Sequence, residues 1–157
     1  FSKILAPGLR LGWMKAKPAL MEHFITSGYL ESGGGMNPLV SGIVNSMIEL
    51  ELQEAYLNFL VKTYRRRMLT LSGALHRHIP ALTFAEPHGG YFIWSYLKED
   101  MDSETVLAEA SRHQVGFQPG IKFSSANGLR NYLRLCFAFY GETDLLEGVE
   151  RLSRVIR

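Results

Sequence analysis

The sequence predicts an α/β fold: a short α/β opening, a long connecting helix, and a small α+β unit from about residue 53 onward. Three observations carry that expectation. Apolar residues recur at helical spacing from Pro38 to Leu75, strict alternation marks residues 132–139, and glycine and proline punctuate the opening segment.

Taken in order, residues 1–8 read as a loop, because Pro7-Gly8 is a strong turn signal. Residues 9–14 follow as a short strand. Pro18 suits a helix first turn, and Ala19, Leu20, Met21, Phe24 and Ile25 give that helix an apolar face. Ser32-Gly33-Gly34-Gly35 is a loop. From Pro38, Leu39/Val40, Ile43/Val44, Met47/Ile48 and Leu52 form one stripe, and Leu57, Val61, Tyr64, Met68, Leu71 and Leu75 a second. Together they predict one long helix, or two with a bend near Glu51 to Glu54, ended by Pro80. Beyond it, residues 91–96 form an aromatic strand after the Gly89-Gly90 turn. Asp102-Ser103-Glu104 supplies an N-cap and acidic first turn for a helix bearing Val106, Leu107 and Ala110. Val115-Gly116-Phe117 is a short strand, and 132–139 the clearest one. A closing helix starts at Thr143-Asp144, with Leu145, Val149, Leu152 and Ile156 inward and Arg151, Arg154 and Arg157 at its C-terminal end.

Composition narrows the function classes. Of 157 residues, 46% are hydrophobic and 20% charged, which excludes collagen-like, low-complexity and disordered classes. Seventeen Lys+Arg against fifteen Asp+Glu leave +2, too balanced to call for a nucleic-acid partner. No apolar run approaches the roughly 18–20 residues of a membrane span. The single Cys136 cannot form an internal disulfide, which suits a reducing, cytoplasmic setting. His76 and His78 are too close together, and His23, His88 and His113 too isolated, to predict a metal site. The opening at Phe1, without an initiator methionine, reads as the later part of a longer protein.

Two places hold candidate chemistry. In residues 132–139, alternation puts Leu133, Leu135, Phe137 and Phe139 on one face and Tyr132, Arg134, Cys136 and Ala138 on the other. A guanidinium in so apolar a strand either snorkels to solvent or grips an anion, and a carboxylate is the planar partner that suits its fork. In the opening, Ser2 and Arg10 are phosphate-binding residue types, and Lys3 lies between them beside Phe1, Ile4 and Leu5. Lys3 is either a surface-loop lysine or a desolvated nucleophilic amine. Arg65-Arg66-Arg67 is expected on a solvated helix face rather than against nucleic acid, Trp13 and Trp94 in the core, and His88 in a turn.

The run FSKILAPGLRLGW resembles the Schiff-base lysine segment of class I/II aminotransferases, the fold-type I enzymes that use pyridoxal 5'-phosphate. In that family a Ser-Lys pair is followed by Pro-Gly-Leu-Arg and a strand ending in Gly plus an aromatic. The long helix, Pro87-His88-Gly89-Gly90-Tyr91-Phe92 and Asn131-Tyr132-Leu133-Arg134-Leu135 then appear in family order, so the likeness spans essentially the whole chain. It is nearest in look to the branch of 2-aminoadipate and multisubstrate aminotransferases and the aminotransferase-like half of MocR-type regulators.

The resemblance implies the end of a large cofactor-binding domain (residues 1–52, with the start of an interdomain helix) and a small C-terminal α+β domain (53–157). It implies that Lys3 tethers the cofactor and then shuttles a proton from the substrate's Cα, that Ser2 and Arg10 hold the phosphate, and that Arg134 binds the α-carboxylate of an amino acid or 2-oxo acid. A homodimer is implied as well, with Asn37 near the partner's site. The family's other cofactor contacts lie upstream of the lysine, so the isolated chain is expected not to transaminate alone. Residues 9–14 are expected to form an edge strand short of neighbours, prone to pairing or aggregation. The competing expectations are the effector-binding half of a MocR-type regulator and a scaffolding piece without catalysis.

Overall fold

The computed structural model describes residues 1–31 and 37–156. The expected loop at Ser32 to Gly35 and the expected role of Arg157 lie outside the described residues. The chain divides into two compact units, Phe1–Val61 and Lys62–Arg157.

In the first unit, Pro7–Leu9 forms a 3-10 turn, followed by helices α1 (Pro18–Ile25), α2 (Gly28–Glu31) and α3 (Pro38–Glu49) and the beginning of α4 (Gln53–His78). Proline opens both α1 and α3, where its fixed φ suits the helix and its missing N–H costs nothing. Asn37 caps α3, its side chain accepting from the Val40 amide. The two apolar stripes belong to two helices: α3 ends at Glu49 and α4 begins at Gln53, with Glu51 held at φ 55° between them.

The strand expected over residues 9–14 is absent, and with it the edge that was to pair or aggregate. Arg10 takes a left-handed conformation, φ 48°, and residues 11–17 have no regular structure. A strand needs a partner strand for its ladder, and the described residues of this unit contain none. Trp13 is consequently 75% exposed rather than core.

The second unit is a four-stranded antiparallel sheet packed on helices. Its strands are β1 (Thr83–Phe84), β2 (Phe92–Tyr96), β3 (Gln118–Pro119) and β4 (Tyr132–Cys136), in the order β1-β2-β4-β3. Helices α5 (Ser103–Arg112) and α6 (Glu142–Ser153) complete it. Leu71, Leu75 and Ile79 from the α4 end, Ile93 from β2, Leu133 and Leu135 from β4, and Leu145, Val149, Leu152 and Ile156 form one buried cluster. Burying a side chain of this size contributes about 1.5–3 kcal/mol, so the cluster is the main source of cohesion in this unit.

Local chemistry sets the boundaries of these elements. Asp102 caps α5, accepting from the Glu104 and Thr105 amides while Arg130 pairs with it. Desolvation alone would raise its pKa, but the amide bonds and the Arg130 guanidinium outweigh it and hold the carboxyl below its ordinary value. Gly90, at φ 85°, supplies the turn into β2 that a side chain would strain. Gly120 is required for a different reason: a Cβ there would stand 2.3 Å from the Leu129 carbonyl oxygen and 2.6 Å from Tyr132 Cβ.

Three expectations are corrected here. The short strand pairs at Gln118–Pro119 rather than at residues 115–117, because Val115 still donates back to Ala110 and Gln114 turns at φ 58°. The clearest strand stops at Cys136. Phe137 makes one more backbone bond, to the Tyr91 carbonyl, and then the chain leaves the sheet with Phe139 78% exposed. Trp94 lies on the sheet face opposite the core and is 38% exposed. Arg65 and Arg66 occupy an exposed helix face as expected, Arg66 pairing with Glu142, whereas half-buried Arg67 donates to the Ala138 carbonyl at 2.7 Å.

Candidate active site

Ser2, Lys3 and Arg10 lie in the opening segment, where Leu5 N donates to the Phe1 carbonyl at 2.9 Å and folds Ser2 and Lys3 into a turn. Leu9 N bonds to Ala6 at 3.2 Å, and Arg10 follows in the left-handed region next to Leu11. Lys3 and Arg10 are exposed and Ser2 is half-buried. Holding a non-glycine residue at positive φ costs on the order of 1 kcal/mol, and Arg10 shares that conformation with Glu51, Gln114, Asn127 and Leu129, which occupy turns and loops.

Arg134 is placed by β4, the strand between β2 and β3. Its backbone is paired opposite Trp94 on β2 and Gln118 on β3, while Leu133 and Leu135 point into the core. Its guanidinium therefore rises from the opposite face, among aromatic rings. The guanidinium carbon lies 3.9 Å from the centroid of Phe92 and 4.6 Å from that of Phe123. Arg134 Nε is buried and finds no hydrogen-bond partner among the described residues. Beside it, Trp94 stacks on Tyr132 at 5.6 Å and meets Phe123 edge-on at 5.5 Å. A cavity of about 540 Å³ opens at the β3 edge; Phe92, Gln118 and Arg134 touch it, but most of its wall comes from residues 114–117 and α6, and Trp94, Phe123 and Tyr132 lie outside it.

The ring contacts of Arg134 are not read from its own strand. Alternation in β2 places Phe92, Trp94 and Tyr96 on one face, which signals an aromatic surface, but it takes the β2–β4 register to bring that surface to Arg134. Phe123 comes from the 3-10 turn Gly120–Phe123, whose direction sequence does not reveal. Among the described residues no group of three or more His, Cys, Asp or Glu is placed to hold a metal, and no helix is long and apolar enough to cross a membrane.

The class of protein is shown by comparison with known proteins. No protein-family model matches the chain. Its full length is nevertheless similar to aromatic-amino-acid aminotransferase 1 of Thermococcus litoralis, 31% identical over 163 residues and 38% of that protein. It is likewise similar to the 2-aminoadipate transaminase of Thermus thermophilus, 30% identical over 162 residues and 39% of that protein.

Among solved structures, the alpha-aminoadipate aminotransferase of Thermus thermophilus complexed with N-(5'-phosphopyridoxyl)-L-leucine superposes with a TM-score of 0.88. It is 28% identical, over 99% of this chain and 40% of that one. The HTH-type transcriptional regulator NorG of Staphylococcus aureus also matches all of this chain, at 25% identity over 35% of the regulator. The resemblance to pyridoxal-phosphate-dependent aminotransferases is thereby borne out along the entire chain. The chain spans about two fifths of the length of the aminotransferases it matches.

Proposed function

We propose that these residues carry the cofactor-anchoring loop and the carboxylate-binding strand of an aminotransferase that moves an amino group between an α-amino acid and a 2-oxo acid. The observation that carries the reading is the whole-length likeness to aminotransferases, together with Ser2, Lys3 and Arg10 in one opening segment. That donor set fits pyridoxal 5'-phosphate: an amine for its aldehyde, and a hydroxyl and a planar cation for its phosphate.

In this reading Ser2 and Arg10 would hold the phosphate, and Lys3 would be the amine that anchors the cofactor through its aldehyde, with loss of water. Once freed by the substrate's own amine, Lys3 Nζ would take the proton from the substrate's Cα. When bound, the cofactor supplies an electron sink for the charge developing at that carbon. Arg134 pairs with the α-carboxylate through two parallel N–H bonds, which fixes the substrate's orientation. The residues map onto a large-domain remnant (1–52) and a small C-terminal domain (53–157). Turnover is assigned to a longer, homodimeric, cytoplasmic protein rather than to these residues alone.

The test is pyridoxal phosphate binding and amino-group transfer, measured on the 157-residue chain and on the intact protein. Binding and turnover in the intact protein, both lost in Lys3→Ala, support the reading; turnover by the short chain alone contradicts its last part. The whole-length likeness to NorG favours a second reading, the effector-binding half of a regulator. A DNA-binding domain ahead of Phe1, together with absent turnover, would select it.

A further inference from the structure

We propose that Phe92 and Phe123 are positioning residues for Arg134: their rings hold the guanidinium over the sheet and leave its N–H groups for a substrate carboxylate. The proposal rests on the carboxylate role proposed above for Arg134 and adds to it the pair of rings that presents the cation.

A guanidinium is a flat cation whose donors all point outward in its plane, while its faces are weakly hydrated. At 3.9 and 4.6 Å from the two ring centroids, its central carbon is well inside the roughly 6 Å within which an aromatic face attracts a cation. The two rings come from different elements, Phe92 from β2 and Phe123 from the turn after β3. An Asp or Glu partner would stabilise the cation equally well, but would occupy the donors a substrate needs. Rings offset the loss of water and occupy none of them.

The buried Nε shows the consequence. It is a donor with no acceptor among the described residues and is covered from solvent, which costs about 1–3 kcal/mol and leaves the terminal nitrogens of the fork as the donors a carboxylate would meet. Phe123 is in turn held by Trp94, edge-on at 86°, and Trp94 by Tyr132, nearly parallel at 19°. The ring on the guanidinium is therefore itself fixed, and a fixed ring limits the directions in which the fork can point. Phe123 is 44% exposed, so its replacement tests presentation rather than folding.

The experiment follows the Arg134 Nε–Hε signal by NMR in the intact protein while acetate is titrated. The variants are Phe123→Leu, Phe92→Leu, Phe123→Tyr and Arg134→Gln. In the unsubstituted protein the signal is ring-shifted and moves as acetate binds. Phe123→Leu and Phe92→Leu return it toward the position of a free arginine and weaken acetate binding about five-fold, the size expected for one lost cation–ring contact. Phe123→Tyr, which keeps a ring, retains both the shift and the affinity. Unchanged affinity in the two leucine variants, or failure of Phe123→Tyr to retain it, overturns the proposal while leaving the carboxylate role intact. Should Arg134→Gln bind acetate as well as the unsubstituted protein, the carboxylate role falls, and the proposal with it.

Discussion

The two units of this chain divide the labour unevenly. In Phe1–Val61, Val44 and Leu60 are the buried apolar side chains among the described residues, while Leu39, Ile43, Leu50 and Phe59 are each more than half exposed. In Lys62–Arg157 a continuous cluster reaches from Leu71 to Ile156. The first unit carries its proposed site residues by local means, a backbone turn and a left-handed arginine. The second holds Arg134 by sheet register, with a core beneath it. The difference teaches that the proposed site residues rest on unequal foundations, so the same kind of substitution has unequal consequences.

The largest expected contrast is in the cores. Leu133→Ala, at a position with no exposure, is predicted to destabilise the chain by about 2–5 kcal/mol, whereas Leu39→Ala, 75% exposed, stays within about 0.5 kcal/mol. Urea unfolding of both variants checks this, and similar losses would erase the distinction between the units. Next comes Gly120→Ala. The added methyl meets backbone and Tyr132 Cβ rather than a flexible side-chain end, and overpacking of this kind costs about 1–3 kcal/mol. A Tm matching that of the unsubstituted chain would contradict the close approach.

A third contrast separates strain from function at Arg10. Arg10→Gly relieves the positive φ and is predicted to leave the fold as stable or more so, by up to about 1 kcal/mol, while weakening phosphate binding. Arg10→Ala keeps the strain and loses the same binding. Thermal melts with and without pyridoxal phosphate distinguish the two, and equal ligand-induced shifts in all three proteins would remove Arg10 from the phosphate site.

The smallest effect concerns pH. Because the folded Asp102 carboxyl titrates below its ordinary value of 3.8, its contribution is fully present above that pH and disappears as pH falls through the lower folded value. Asp102→Asn keeps a good cap but loses the charge facing Arg130. The variant is thus expected to be less stable near neutrality by no more than about 1 kcal/mol, with the gap closing in acid. A gap independent of pH would reject the ion pair as its cause.

How far the sequence revealed this molecule follows the same division. The inward set of α6 and the cap of α5 were legible because periodicity and a capping residue act within a few positions of themselves. The burial of Leu133 and Leu135 was legible from alternation, although the ring neighbours of Arg134 were not, since they depend on pairing between distant segments. Residues 9–14 have the residue types of a strand but no partner strand among the described residues of their unit, so composition was no guide to their conformation. Phe139 continued an alternating pattern after the backbone had left the sheet. At the proposed site, the types of Ser2, Lys3 and Arg10 were visible in the sequence, whereas the turn that holds Ser2 and Lys3 and the left-handed backbone of Arg10 were visible only in the fold.

The account turns on one nitrogen, Lys3 Nζ. Borohydride reduction of the intact protein after incubation with pyridoxal phosphate, followed by peptide mapping, tests it most directly. The account predicts a single phosphopyridoxyl label on Lys3 that vanishes in Lys3→Ala. A label on another residue, or none, would contradict it.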